Sequence, residues 1–98
     1  MKILALEREL PNQTTAQFAS AEARKVWELT QLGIIRETYF RADRNEAVLV
    51  LECDSILEAR RILADLPFVR NRLIDFELIP LKAYPGFERL FAKNISFM

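Results

Sequence analysis

The order of hydrophobic and polar positions along the chain predicts an alternating series of strands and helices. Alternation and short apolar runs indicate strands, whereas apolar residues that repeat every three or four positions indicate helices. In chain order, the predicted elements are a strand over 2–9, a helix over 15–32, a β-hairpin over 34–53, a helix between Ser55 and Pro67, and a strand over 73–81. A turn at 85–86 and an apolar tail over 87–98, with a helical turn over 87–91, complete the chain.

Local signals mark the ends of both long helices. Thr14 begins a capping box before the first helix, and Gly33 stands where a left-handed residue ends it. Ser55 and Glu58 form a second capping box. Pro67 ends the second helix because the residue before a proline avoids the helical conformation.

The first helix and the last strand are each apolar on one side. The apolar face of the helix, with Trp27 at its edge, consists of Phe18, Ala19, Ala23, Val26, Leu29 and Thr30. In the last strand, Ile74, Phe76 and Leu78 alternate with Asp75 and Glu77. Successive strand residues point to opposite faces, so the two carboxylates project from one face together.

The order β-α-β-β-α-β predicts an α+β domain of the ferredoxin-like type. Four antiparallel strands form the sheet and both helices cover the same face, because right-handed crossovers select this topology over its mirror image. The chain of 98 residues forms one domain over 1–98, with 81–98 as a C-terminal extension that packs on the domain or on a partner subunit.

The face of the sheet without helices is expected to be covered by a second copy of the chain. The third strand, 47–53, is apolar on both sides, which is typical of a strand buried on both faces. The tail is also strongly apolar, with Phe87, Leu90, Phe91, Ile95, Phe97 and Met98. These features predict a homodimer or a higher even-numbered oligomer. The alternative is a monomer whose tail folds back over its own sheet.

Composition excludes several classes of function. The chain has no histidine, one cysteine, two glycines and equal numbers of acidic and basic residues, 14 of each. Neutral charge argues against a nucleic-acid partner, and no apolar run is long enough to span a membrane or to serve as a secretory signal. We expect a cytoplasmic protein without metal or cofactor, in which Cys53 is a small buried hydrophobic residue.

Several short stretches resemble the muconolactone isomerase family. They are Trp27-Glu-Leu-Thr-Gln-Leu-Gly33, Asp54-Ser-Ile-Leu-Glu-Ala59, Leu63-Ala-Asp-Leu-Pro67 and Ile74-Asp-Phe-Glu-Leu78 followed by Pro85. The resemblance spans about 21–85 and rests mostly on core and capping positions. It implies a dimeric α+β barrel and an enzyme that shifts a double bond in a lactone acid by moving a proton, without metal or cofactor. The chain departs from the family in lacking histidine and in a longer link after Pro67.

Glu77 and Asp75 are the candidate catalytic residues for such chemistry. If the open face of the sheet lines a cavity between two subunits, a desolvated carboxylate there acquires a raised pKa. Such a group can take a proton from a carbon beside a carbonyl and return it, and Glu77 is the preferred carrier. The alternative is an ordinary ion pair with an arginine or lysine on a neighbouring strand.

Four other residues are candidates for substrate binding. Arg36 and Arg72 have the guanidinium group that holds a carboxylate, and the Tyr39 hydroxyl can donate a hydrogen bond to an enolate oxygen. Phe68 has the apolar surface for a pocket wall. Each also has a structural alternative, namely surface ion pairing for the arginines and packing for the aromatic residues.

The sequence therefore predicts a small enzyme that isomerises a small lactone or unsaturated acid without a cofactor. Two alternatives remain open. One is a non-catalytic module of the same barrel form that binds a small apolar ligand or only assembles. The other is a cofactor-free monooxygenase, which this barrel form also hosts. Fold alone does not decide among them.

Overall fold

Four strands form one antiparallel sheet in the spatial order β2-β3-β1-β4. The computed structural model describes residues 1–11 and 15–94, without the side chains of 92–94. The strands are β1 (Lys2–Glu9), β2 (Ile35–Phe40), β3 (Ala47–Glu52) and β4 (Ile74–Leu81). The helices are α1 (Ala19–Gln31), α2 (Ile56–Leu63), α3 (Pro67–Arg70) and α4 (Glu88–Asn94), with 3-10 turns at Ala16–Phe18 and Pro85–Phe87. This arrangement confirms the predicted α+β ferredoxin-like fold.

Most helix boundaries follow the local signals in the sequence, although α2 ends at Leu63, before the proline that was predicted to end it. Gly33 has φ +79°, and the Glu58 amide donates to the Ser55 hydroxyl over 3.0 Å, as predicted. The predicted cap at Thr14 lies outside the described residues. The link after Pro67 is a helical turn rather than an irregular connection, because proline suits the first position of a helix.

The hydrophobic core lies between one face of the sheet and the helices. Ile3 of β1 and Leu49 and Leu51 of β3 are buried at its centre. Leu29 packs on them from α1 and Leu63 from α2. Cys53 is also buried, and burial raises the pKa of its thiol, which agrees with its predicted role as a small hydrophobic residue. No helix in the described part of the chain is long and apolar enough to cross a membrane.

The opposite face of the sheet, here called the open face, has an apolar centre without helices over it. Leu4 and Leu6 of β1 lie beside Val50 and Val48 of β3 and are half-buried, and Ile79 of β4 pairs with Leu4. Charged residues surround this centre. The apolar character predicted for both sides of β3 is therefore confirmed.

The C-terminal segment projects from the domain. The radius of gyration is 17.5 Å and the longest dimension is 63 Å, whereas a compact chain of this length has a radius of gyration of about 13 Å. Phe87, Leu90 and Phe91 are exposed. The Tyr84 ring meets Phe87 edge to face, with centroids 5.0 Å apart, and covers Gly86 so closely that a side chain there would collide with it.

Candidate functional site

A cavity of about 740 Å³ lies between α1 and the helix-covered face of the sheet. Aromatic side chains form much of its wall, namely Trp27, Phe40, Phe68 and Phe76. A volume of this size is typical of pockets for small organic ligands. This candidate site is therefore a solvent-accessible cleft formed by one subunit, on the opposite side of the sheet from the open face.

The cavity exists because the part of α1 that faces the sheet carries small side chains. Ala19 and Ala23 line the cavity on the helix side, where a larger residue would fill the gap to the sheet. Further along the helix, Val26, Trp27 and Thr30 also line the cavity, while the buried Leu29 joins the core. The helix thus borders the cavity along its length and is anchored to the core through Leu29.

Glu7 is a carboxylate in a core position of β1. Alternation along the strand places it on the same face as Ile3 and Ala5, and its side chain is only 8% exposed. Its Oε1 accepts the backbone N–H of Ala47 at 3.0 Å. Burial raises the pKa of Glu7 despite that hydrogen bond, and repulsion from Glu46 raises it further.

Glu22 is a second carboxylate, in the first turn of α1. Its Oε1 accepts the backbone N–H of Phe68 at 2.9 Å, so it connects α1 with the start of α3. Burial raises the pKa of Glu22, the hydrogen bond opposes this, and the negative charge of Glu7 adds to the increase. The two carboxylates therefore line one cavity and repel each other electrostatically.

Each carboxylate has one oxygen held by a backbone amide and the other available to a ligand. Within the described residues, Oε2 of Glu7 and Oε2 of Glu22 make no hydrogen bond. A carboxyl group whose pKa is raised exchanges protons more readily near neutral pH than an exposed one. Such a pair, in different environments, can supply a base and an acid to one bound molecule.

Glu46 supports the site from the β2–β3 loop. It is buried, and its Oε1 lies 3.6 Å from Nη1 of Arg41 and 3.7 Å from Nη1 of Arg44, without a hydrogen bond. The two arginines thus offset part of the negative charge of Glu46, and the same charge acts on Glu7. No group of three potential metal ligands occurs among the described residues.

Of the residues that the sequence singled out, Phe68 lines the cavity. Asp75 and Glu77 share the open face, as predicted, and both are exposed in the single chain. Glu77 forms an ion pair with Arg8 of β1, which is the structural alternative considered for it. The catalytic roles of Asp75 and Glu77 remain predictions.

The three remaining candidates lie apart from the cavity. Tyr39 is on the open-face side of β2, where its hydroxyl donates to Glu37 Oε1 at 2.7 Å, and this bond raises the pKa of Tyr39. Arg36 bonds through Nε to the Gly33 carbonyl. Arg72 is exposed, with φ +59°. The structure does not bring these residues together around one ligand site.

Glu7 and Glu22 were not among the candidates predicted from the sequence, although a signal for both is present. Glu7 continues the alternation that begins with Ile3 and Ala5, so it occupies a position where the strand pattern calls for an apolar side chain. Glu22 stands four residues before Val26 on the apolar face of α1. A charged residue in an apolar position is the signal that could have found them.

Comparison with known proteins supports the fold alone. No known family matches the sequence, and no curated protein matches it. The chain is similar in structure to a 5-chloro-2-hydroxyhydroquinone dehydrochlorinase from Burkholderia phenoliruptrix AC1100, solved in complex with 2,5-dihydroxybenzoquinone, with a TM-score of 0.67 and 16% identity. The match covers 88% of this chain and 98% of that one. The chain thus shares the α+β ferredoxin-like fold of that neighbour.

Proposed function

We propose that the chain is a small enzyme that moves a proton within an unsaturated ring compound bound in the cavity beneath α1, without a cofactor. The observation that carries this proposal is the pair Glu7 and Glu22, two carboxylates with raised pKa in an aromatic cavity. Perturbed titratable groups in a cleft are characteristic of sites for acid–base chemistry. The lone buried Cys53 fits a reducing, cytoplasmic location.

The chemistry needs only the two carboxyl groups. The ionised carboxylate takes a proton from a carbon beside a carbonyl, so the C–H bond breaks and its electron pair moves into an enolate. The protonated carboxyl then delivers a proton to another carbon of the conjugated system. The double bond changes place, one proton enters as one leaves, and no oxidant or reductant is required.

The structural neighbour supports a ring-sized ligand. Its name describes removal of hydrogen chloride from a chlorinated hydroxyhydroquinone, and its structure holds a dihydroxybenzoquinone. A six-membered ring with its substituents suits a cavity of about 740 Å³ with aromatic walls. The predicted lactone ring is of similar size, so both are suitable first compounds.

Solvent hydrogen exchange tests the proposal without knowledge of the final product. A panel of cyclic enones and unsaturated lactones is incubated with the protein in D2O, and deuterium uptake at carbon is followed by NMR. We expect Glu7→Gln and Glu22→Gln each to lower the exchange rate by about 10²–10⁴-fold, the usual contribution of a general acid or base. Glu28→Gln, on the exposed side of α1, is the matched control.

Glu77→Gln separates the cavity from the site predicted on the open face. If exchange depends on Glu77 and is unaffected by loss of Glu7 and Glu22, the proposal is wrong and the sequence-based prediction stands. If compounds bind but no compound exchanges, the chain is a ligand-binding module. Uptake of O2 with a bound hydroxylated ring would favour the monooxygenase alternative.

We also propose that a second copy of the chain covers the open face. Half-buried apolar residues at its centre and the exposed aromatic tail support this proposal, as does the dimeric barrel fold of the neighbour. Native mass spectrometry is expected to give an even-numbered oligomer. Val50→Lys, at the centre of the face, is expected to dissociate it, whereas Leu57→Lys on exposed α2 is not. A wild-type monomer at micromolar concentration would overturn this proposal.

A further inference from the structure

The charges around the cavity are all of one sign. Its lining includes Glu7, Glu9 and Glu22, and no lysine or arginine is among the described residues that form it. Arg8, next to Glu7 in β1, pairs with Glu77 on the open face, and Arg41 and Arg44 pair with Asp43 and Glu46. A bound anion would therefore meet carboxylates without a cation to offset them.

We infer that the cavity selects an uncharged ring compound that bears hydroxyl groups, and that it rejects the carboxylate counterpart of the same compound. This inference rests on the proposed function, because it names the substrate class of the same site. It also separates the two ligands expected from the sequence: a neutral lactone is compatible with the lining, whereas an ionised acid is not.

Hydrogen-bond chemistry favours hydroxyl groups on the ligand. An ionised carboxylate only accepts hydrogen bonds, so the free Oε2 of whichever of Glu7 and Glu22 acts as the base calls for a donor on the ligand. Phenolic or enolic hydroxyls supply donors without a charge, while their ring packs against Trp27 and Phe68. A ligand carboxylate adds a further negative charge to a site where burial already disfavours the ionised forms of Glu7 and Glu22.

Three compounds of nearly equal size test the charge dependence at pH 7. They are 4-hydroxybenzamide, which is neutral, 4-hydroxybenzoate, which is anionic, and 4-hydroxybenzylamine, which is cationic. Affinities are measured by calorimetry on the full chain. Binding in the cavity is identified by the indole N–H signal of Trp27, the only tryptophan, which lines the cavity and is 60% exposed.

We expect the amide to bind about tenfold or more tightly than the benzoate, because like charges several ångströms apart repel strongly at the effective dielectric of a protein site. In the double variant Glu7→Gln/Glu22→Gln, this ratio should fall to about threefold or less as the repulsion is removed. Glu28→Gln should leave the ratio unchanged. The single variants, each of which keeps an amide oxygen as acceptor, give intermediate ratios if the double variant is poorly folded.

Each remaining outcome overturns a specific statement. Equal or tighter binding of the benzoate, or a ratio that persists in the double variant, overturns the inference while the proposed function survives. Tighter binding of the benzylamine than of the amide overturns the preference for an uncharged ligand. If none of the compounds shifts the Trp27 signal, the cavity is not a site for such rings, and the proposed function fails with the inference.

Discussion

The hydrogen bond between Glu22 and Phe68 predicts a measurable loss of stability in Glu22→Ala. The carboxylate of Glu22 accepts the Phe68 N–H at 2.9 Å and joins α1 to α3. Alanine leaves that partly buried N–H without an acceptor, and a hydrogen bond to a charged group contributes about 1.5–3 kcal/mol. The substitution also removes the free-energy cost of desolvating the Glu22 carboxylate, the same cost that raises its pKa, and this offsets part of the lost stability.

The free energy of unfolding should therefore fall by about 1–2 kcal/mol, and Tm by roughly 5–15 °C for a domain of this size. Urea unfolding at pH 7, followed by circular dichroism, measures the change. Glu28→Ala, on the exposed side of the same helix, should change stability by less than about 0.5 kcal/mol. Glu22→Gln keeps an acceptor oxygen and should stay close to the wild type.

Two results would refute this reasoning. If Glu22→Ala is as stable as Glu28→Ala, the hydrogen bond does not hold α3 to α1. If Glu22→Gln loses as much stability as Glu22→Ala, then the negative charge is the stabilising feature rather than the acceptor oxygen. That second result would also contradict the raised pKa, because a carboxylate that is stabilised by its charge has a lowered pKa.

Three further predictions concern the whole domain. Burial raises the pKa of Glu7 and Glu22 above 4.5, so the stability that they contribute in the protonated form is complete below pH 4.5 and is lost as pH rises through the folded-state pKa. The urea midpoint of the wild type should therefore fall between pH 4 and 8, and that of the double Gln variant should fall less. Leu51→Ala, at a fully buried position, should lower the free energy of unfolding by about 2–5 kcal/mol in the same urea assay. Gly33→Ala should lower the free energy of unfolding by about 1–2 kcal/mol, because alanine is strained at the positive φ of this position. Steric crowding does not contribute, since the nearest side-chain atoms are 3.9 Å from the added methyl group, and an unchanged urea midpoint would contradict the prediction.

The fold could be predicted because its decisive signals are local. The left-handed Gly33 and the Ser55 cap act on their immediate neighbours and appear in the structure where the sequence places them. Pro67 keeps Leu66 extended, as expected, but α2 already ends at Leu63 and Pro67 begins α3. Alternation in β4 likewise separates Phe76 from Glu77 correctly. Such signals determine element types and boundaries, and the order of elements then leaves few topologies.

The position of the site could not be predicted in the same way, because it depends on distances between elements. A cavity between two subunits on the open face was the prediction from sequence, and it led to Asp75 and Glu77 as candidates; it stays a prediction. The cavity that the structure does show lies on the other face, where small residues of α1 border it. Nothing local to Ala19 or Ala23 distinguishes an alanine that packs tightly from an alanine that borders a cavity.

The energetics of Glu7 and Glu22 argue that they serve chemistry rather than folding. A carboxylate whose pKa is raised by burial stabilises the native state less once it is ionised, so the ionisation of each residue, unlike its backbone hydrogen bond, opposes folding at neutral pH. Glutamine would keep each backbone hydrogen bond without that penalty. Side chains that violate the local pattern and lower stability are expected where function requires them. For these two positions, stability and proton transfer should therefore change in opposite directions: the Gln variants should be at least as stable as the wild type at pH 7 and should exchange more slowly.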